Sequence, residues 1–326
     1  MEAGLRFATL VTPTGGFADL RWRDIETWRP SDGFLWIHLE RDDPVAQTWL
    51  RERSGIDPLV ALALVAEESR PRVQDVDDGL MVVLRGVNVA DDPMEAELVP
   101  IHVWMEPFRC VSLRDKDHQL SALRDIRLLH MNKRGPRTAG FLMAVIAEKV
   151  VDHLGVVIEG IETEVSELED RVVAGVAIDS DYRIDIARAR RRAIELRRYL
   201  GPQRDALYKL EHDDAPWLEV DAKRRLREVT DRLVRDIEDL DELRDRATVL
   251  HEDLSAQISE RIAKTSNRLT SVAAMLLPPT LITGLLGTNI GGIPGAQSDN
   301  AFAILCGLLV ALVPVNWVVL KLLKWL

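Results

Sequence analysis

The chain has 326 residues, a formal net charge of −11 and a mean hydropathy of −0.05. An acidic balance of this size excludes a general nucleic-acid binder and works against docking of the charged part on anionic lipid. It is compatible with attracting cations and equally with simple solubility. The two cysteines, Cys110 in the charged part and Cys306 in an apolar run, cannot found a disulfide framework, which fits a reducing compartment. The start, Met1-Glu2-Ala3-Gly4-Leu5-Arg6, lacks the basic-then-apolar pattern of a signal peptide, so the charged part is expected in the cytoplasm.

Residues 1–137 read as an α/β domain. Phe34-Leu35-Trp36-Ile37-His38-Leu39 predicts a strand, as do Leu80-Met81-Val82-Val83-Leu84-Arg85-Gly86-Val87, Ile101-His102-Val103-Trp104-Met105 and Arg109-Cys110-Val111-Ser112-Leu113. Between them, Pro58-Leu59-Val60-Ala61-Leu62-Ala63-Leu64-Val65-Ala66-Glu67 predicts a helix. The strand order stays open.

From residue 138 the strand signals vanish, and 138–214 predicts a helical hairpin. Its first arm, 141–173, has an acidic face with Glu159, Glu162, Glu164, Glu167, Glu169 and Asp170. Its second, 184–200, is basic, with Arg188, Arg190, Arg191, Arg192, Arg197 and Arg198, and Gly201-Pro202 is expected to end or kink it. The opposite charges predict facing ion pairs or two solvated faces; surface pairs would add little stability either way.

Residues 215–268 predict a long stalk helix starting near Ala215-Pro216-Trp217, with proline suited to a first turn. Leu226, Leu233, Leu240, Ala247 and Leu254 recur every seven residues, with Ile237 and Ile258 between them, which is a helix-packing seam. No Gly or Pro interrupts the run before Pro278. If the helix continues to Leu286 it covers about 70 residues and on the order of 100 Å. A seam on so long a rod implies a self-associated bundle.

From Leu269 through Ser298 there is no Asp, Glu, His, Lys, Arg, Cys or Tyr. Such a stretch belongs in lipid. Transmembrane helices are expected at 269–287 and 301–320, joined by a loop at 288–300 and followed by a tail at 321–326. Lys264 and Arg268 precede the first span, Lys321 and Lys324 follow the second, and the loop carries only Asp299. The positive-inside rule puts both termini in the cytoplasm, with Trp317 and Trp325 as interface anchors. Thr270, Ser271, Thr280, Thr283, Gly284 and Pro278-Pro279 make the first span the less greasy one. Stepping back from Thr280 on a helical wheel, Leu276, Ala273, Leu269, Ser266 and Ile262 share one stripe. That stripe lines a pore without fixed charge or serves ordinary small-residue helix packing.

Gly287-Thr288-Asn289 closes the first span, and Gly291-Gly292-Ile293-Pro294-Gly295 follows. Alone, Gly and Asn here terminate a helix by tolerating left-handed angles. At the outer end of the first of two C-terminal spans, after a long rod, the Gly-x-Asn resembles that of the CorA superfamily of divalent-cation transporters, and the loop after it resembles the ZntB zinc-transporter branch. Glu68-Ser69-Arg70-Pro71-Arg72, Leu84-Arg85-Gly86-Val87-Asn88, Pro202-Gln203-Arg204-Asp205 and Lys324-Trp325-Leu326 support the resemblance.

The resemblance implies a funnel-shaped homopentamer in the cell inner membrane, with an α/β cytoplasmic domain, long helices and a two-helix transmembrane hairpin. The first span would line the pore, and Gly287, Thr288 and Asn289 would form the entrance filter. A ring of Asn289 amide oxygens would hold a hydrated cation through its water shell. The family commonly has Met or Val where Thr288 stands, and an added hydroxyl could alter hydration and ion preference.

Zinc prefers Cys, His or carboxylate ligands, and none lies between Leu269 and Ser298. Selectivity would then rest on hydrated size or on a cytoplasmic site. His212 with Glu211, Asp213 and Asp214, or His251 with Glu252 and Asp253, are candidates beside the reading of a solvated turn and a solvated helix face. The spans carry no proton relay, so proton-coupled uptake would use pore water or the soluble domain. No nucleotide-binding or nucleophile constellation points to an enzyme or to a cofactor bound for catalysis. The leading expectation is zinc transport. The alternatives are a magnesium or cobalt channel and a non-conducting membrane-tethered sensor or scaffold.

Overall fold

The computed structural model describes residues 2–67, 70–88, 96–174, 180–288, 293, 295 and 298–322. It divides into two compact units, 1–250 and 251–326. Glu68, Ser69 and Lys324-Trp325-Leu326, quoted above, lie outside the described residues.

The first unit is built on a seven-stranded sheet. In chain order its strands are β1 (Leu5–Val11), β2 (Phe17–Asp19), β3 (Phe34–Glu40), β4 (Arg72–Val76), β5 (Gly79–Val87), β6 (Leu98–Met105) and β7 (Arg109–Arg114). The spatial order is β2-β1-β3-β7-β6-β5-β4, and every pair is antiparallel except β3–β7. The predicted strands correspond to β3, β5, β6 and β7, the centre of the sheet. Both faces of that centre are covered, so its strands are apolar almost without alternation. In β3, Phe34 and Trp36 join one core, while Leu35, Ile37 and Leu39 join the other.

One face is packed by α1 (Trp22–Thr27), α2 (Pro44–Glu52) and α3 (Pro58–Leu64). The last two begin alike. Pro44 and Pro58 occupy first turns, and the Asp43 and Asp57 carboxylates accept the next free N–H groups. The helix α3 stops at Leu64, short of the predicted Glu67. The other face carries α4 (Ser121–Met131), α5 (Ala139–Val173), α6 (Ser180–Glu211) and the first part of α7 (Val220–Leu286).

Three expectations are corrected here. Of the end or kink expected at Gly201-Pro202, the end does not occur: α6 runs on to Glu211, because tertiary packing of Leu200, Gln203 and Leu207, all essentially inaccessible, holds both sides of the proline. The helix α7 starts at Val220, four residues beyond Pro216. The seam residues are buried without a second copy: Leu226, Leu233 and Leu240 belong to the same core as α5 and α6. This stretch of the rod therefore needs no self-association to cover its apolar stripe.

Several charges of the hairpin pair with α7. Glu148–Arg225 (2.7 Å), Asp152–Arg232 (2.6 Å) and Glu169–Arg246 (2.7 Å) ascend together, so α5 and α7 run parallel. Glu211–Arg227 (2.7 Å) and Arg197–Asp241 (3.1 Å) run in opposite senses, so α6 and α7 are antiparallel.

In the second unit, α7 and α8 (Ala301–Leu322) form a hairpin. Both are long and apolar enough to cross a bilayer. Their exposed surface includes Leu269, Val272, Leu276, Leu277, Leu281 and Leu285 on α7 and Phe302, Ile304 and Val310 on α8. A surface of this kind is stable against lipid or a neighbouring helix, not water.

Candidate functional site

The predicted stripe is one face of α7. Ile262, Ser266, Leu269, Ala273, Leu276 and Thr280 are all exposed on the single chain. Two residues out of phase, Ser271 is buried and Met275, Pro278 and Ile282 are half-buried. Ser271 and Met275 line a small cavity together with Leu320 of α8, which is 5% exposed. A two-residue offset on an α-helix is about 200°. The stripe therefore lies on the side of α7 turned away from α8.

Three hydroxyls of this segment bond back to the helix itself. Thr280 Oγ1 donates to the Leu276 carbonyl, Thr283 Oγ1 to those of Pro279 and Thr280 (both 3.0 Å), and Ser271 Oγ to that of Asn267 (2.8 Å). Pro278 and Pro279 lack N–H groups, yet the helix continues across them to Leu286. The stripe thus offers apolar and hydroxyl surface and no ionisable group. It presents no Cys, His or carboxylate with which to strip and ligate a cation.

The helix end is built from Gly287 and Thr288. Gly287 N–H donates to the Thr283 carbonyl (2.8 Å), and Thr288 Oγ1 donates to the Leu285 carbonyl (2.8 Å). The hydroxyl satisfies a terminal carbonyl that the helix leaves open. A Cβ on Gly287 would stand 2.9 Å from the Thr283 oxygen, which is why glycine fits there. Gly287 is not left-handed, whereas Gly295 further along the loop is, with φ 80°. Ser298 N–H closes onto the Gly295 carbonyl (3.0 Å), leading the loop into α8. Ile293 is half-buried. Asn289, Gly291, Gly292 and Pro294 lie outside the described residues.

The proposed cytoplasmic ligands do not converge. Among the described residues, no group of three or more His, Cys, Asp or Glu side chains is arranged to hold a metal ion. His212 donates through Nδ1 to the Tyr208 carbonyl (2.9 Å) and stacks on the Tyr208 ring. Asp213 accepts the Ala215 N–H (2.9 Å). Burial raises its pKa, and the neighbouring Asp75 carboxyl raises it further. Asp214 is exposed, and His251 sits half-exposed on α7.

The sequence reading missed the acidic wall around Asp213. A cavity of about 1150 Å³ in the first unit is lined by Asp75, Asp77, Asp78, Glu106, Asp213 and Asp214 among others. Asp77 holds a left-handed φ of 49° in the β4–β5 turn. The Asp75-x-Asp77-Asp78 run was the available signal, but only the fold brings it to the α6–α7 turn.

Fold and hairpin together define a chain with a large acidic α/β domain and two C-terminal helices long and apolar enough to cross a membrane. The family model for the CorA-like Mg2+ transporter protein matches residues 31–322. The chain belongs to the CorA-like family. It is 34% identical over 293 residues to the divalent cation transporter CmaX of Pseudomonas aeruginosa, covering 90% of this chain and 87% of that one. It is 32% identical over 326 residues to the zinc transport protein ZntB of Pectobacterium carotovorum, covering 100% and 97%. The solved structure of full-length CmaX matches with a TM-score of 0.85 at 32% identity, covering 100% of this chain and 99% of that one.

Proposed function

We propose that this chain transports divalent cations, zinc foremost, across the inner membrane as a homopentamer with both termini in the cytoplasm. The α7 stripe lines the central pore and Gly287, Thr288 and Asn289 form its outer entrance. The observation that carries the reading is the face of α7 turned away from α8. Leu269, Ala273, Leu276 and Thr280 are exposed there on the single chain, as expected of residues that face an axis shared by several copies. Kinship to CmaX and ZntB proteins supports the cargo class.

The absence of zinc ligands on the stripe directs selectivity to the hydrated ion. It equally favours the second reading, a magnesium or cobalt channel. The cation moves through water with its shell intact, held at the entrance by amide oxygens. Without a titratable group in the spans, any proton that accompanies it travels by pore water or through the soluble domain.

The test is reconstitution in liposomes loaded with a zinc-sensitive dye, with and without a pH gradient, beside a magnesium-sensitive dye and the Asn289→Ala variant. Zinc entry that Asn289→Ala suppresses is the expected result. Magnesium entry faster than zinc selects the second reading. No flux of any divalent cation refutes transport and leaves a membrane-tethered sensor or scaffold.

A further inference from the structure

At the end of the hairpin opposite the loop, a cavity of about 400 Å³ has two chemically distinct walls. Lys264 and Arg268 form the cationic one, and Val272, Met275 and Leu320 form the apolar one. The chemistry is graded along α7. From Arg268 to Val272 and Met275 is about 6–10 Å at 1.5 Å per residue. An amphiphile passes from headgroup to acyl region over a comparable depth.

The two cations differ in availability. Lys264 Nζ is paired with Glu260 at 2.7 Å, both side chains about two-thirds exposed. Arg268 forms no ion pair among the described residues. On the facing helix, Lys321 Nζ stands 5.1 Å from the centre of the Trp317 ring, a basic–aromatic pair typical of a membrane boundary. The protein as a whole carries −11, so this end of the hairpin is a local cationic exception.

We propose that this cavity binds an anionic phospholipid. The phosphate sits at Arg268 with help from Lys264, and one acyl chain runs along Val272, Met275 and Leu320. A free phosphate would use the cationic wall alone and leave the apolar wall bare, which is why the lipid is the assigned occupant. The inference rests on the reading of the hairpin as membrane-embedded with this end at the inner leaflet.

The test uses the full chain purified in a neutral detergent. Phosphatidylglycerol, phosphatidylcholine and inorganic phosphate are titrated separately, and retained lipid is counted by native mass spectrometry. Phosphatidylglycerol is expected to be retained in preference to phosphatidylcholine, and millimolar inorganic phosphate is expected not to displace it. Arg268→Gln and Lys264→Gln should each weaken retention roughly fivefold. Arg268→Lys should restore most of it, and Glu260→Gln, by freeing Lys264, should strengthen it.

Equal retention of the two lipids, an undiminished preference in the double Gln variant, or displacement by phosphate alone would overturn the site. Flotation with phosphatidylcholine liposomes checks the membrane reading separately. A chain that does not float refutes that reading. A chain that floats without preferring the anionic lipid refutes only this site.

Discussion

The Gln203 side-chain oxygen accepts the backbone N–H of Arg85 at 2.6 Å, joining α6 to the sheet. The reason lies in strand register. The β4 strand begins with Arg72 opposite Val83, so the N–H of Arg85 extends beyond its reach. A fully buried amide, 0% exposed, takes the missing strand's place. Gln203→Leu removes that buried hydrogen bond, at a cost of about 1–3 kcal/mol. Chemical unfolding of the full chain in detergent should register the loss, and an unchanged midpoint would refute the role.

Two buried histidines predict sensitivity to acid. Burial, reinforced by Arg114, lowers the His38 pKa to about 3. Burial with Arg41, Arg72 and Arg85 lowers that of His102 to about 4. The unfolded chain binds protons at these residues near pH 6.5, whereas the folded chain does not until far lower. Stability therefore falls as pH drops below about 6.5 and keeps falling to about 4. Each histidine contributes up to about 1.4 kcal/mol per pH unit. Unfolding followed from pH 7.5 to 4.5 should show this slope, and His38→Gln should flatten it whatever it does to stability at pH 7.5.

Asp236 on α7 works in the opposite direction. Burial, with Asp239 nearby, raises its pKa to about 6, and its Oδ2 is buried without a hydrogen-bond partner. The folded chain holds this proton over a window, from about 4 to 6, in which the unfolded chain has released it. The carboxylate therefore costs stability as pH rises through that window, and the full cost is present at pH 7.5. Asp236→Asn should stabilise the protein at pH 7.5 and not at pH 4. Because the side chain is only partly buried, the gain expected is about 1 kcal/mol. Equal effects at both pH values would refute the assignment.

Much of this architecture was legible for one reason: full burial leaves a strong pattern. Strands β3, β5, β6 and β7 are covered on both faces and read as apolar runs. Strand β4 buries only Val73, and β2 buries no residue, so neither stood out. The seam from Leu226 to Leu254 was visible, but periodicity says that a face is buried and not by what. Its cover, α5 and α6, is a tertiary fact. Pro202 does not end α6, although local propensity disfavours a helix there, because Gln203 and its neighbours are held by the sheet. The motifs around Arg85 and Gln203 were quoted separately; their hydrogen bond crosses 118 residues and has no local signal. At the hairpin the lack of ionisable groups was decisive, since no soluble core explains it.

Thr288 offers the sharpest division within the proposed entrance. Its hydroxyl proton is committed to the Leu285 carbonyl at 2.8 Å, closing the end of α7, so it is not directed at a passing ion. The Asn289 amide is the group assigned to the ion's water shell. A hydrogen bond to a charged species is worth about 1.5–3 kcal/mol, so Asn289→Ala should cut divalent flux about tenfold or more. Thr288→Val removes a capping bond worth about 1 kcal/mol and should cost fivefold or less in flux, together with a small drop in thermal stability. Thr288→Ser keeps the hydroxyl and should behave as the parent. If Thr288→Val instead matches Asn289→Ala in flux with unchanged stability, the hydroxyl faces the ion, and its bond to Leu285 is not the state that conducts.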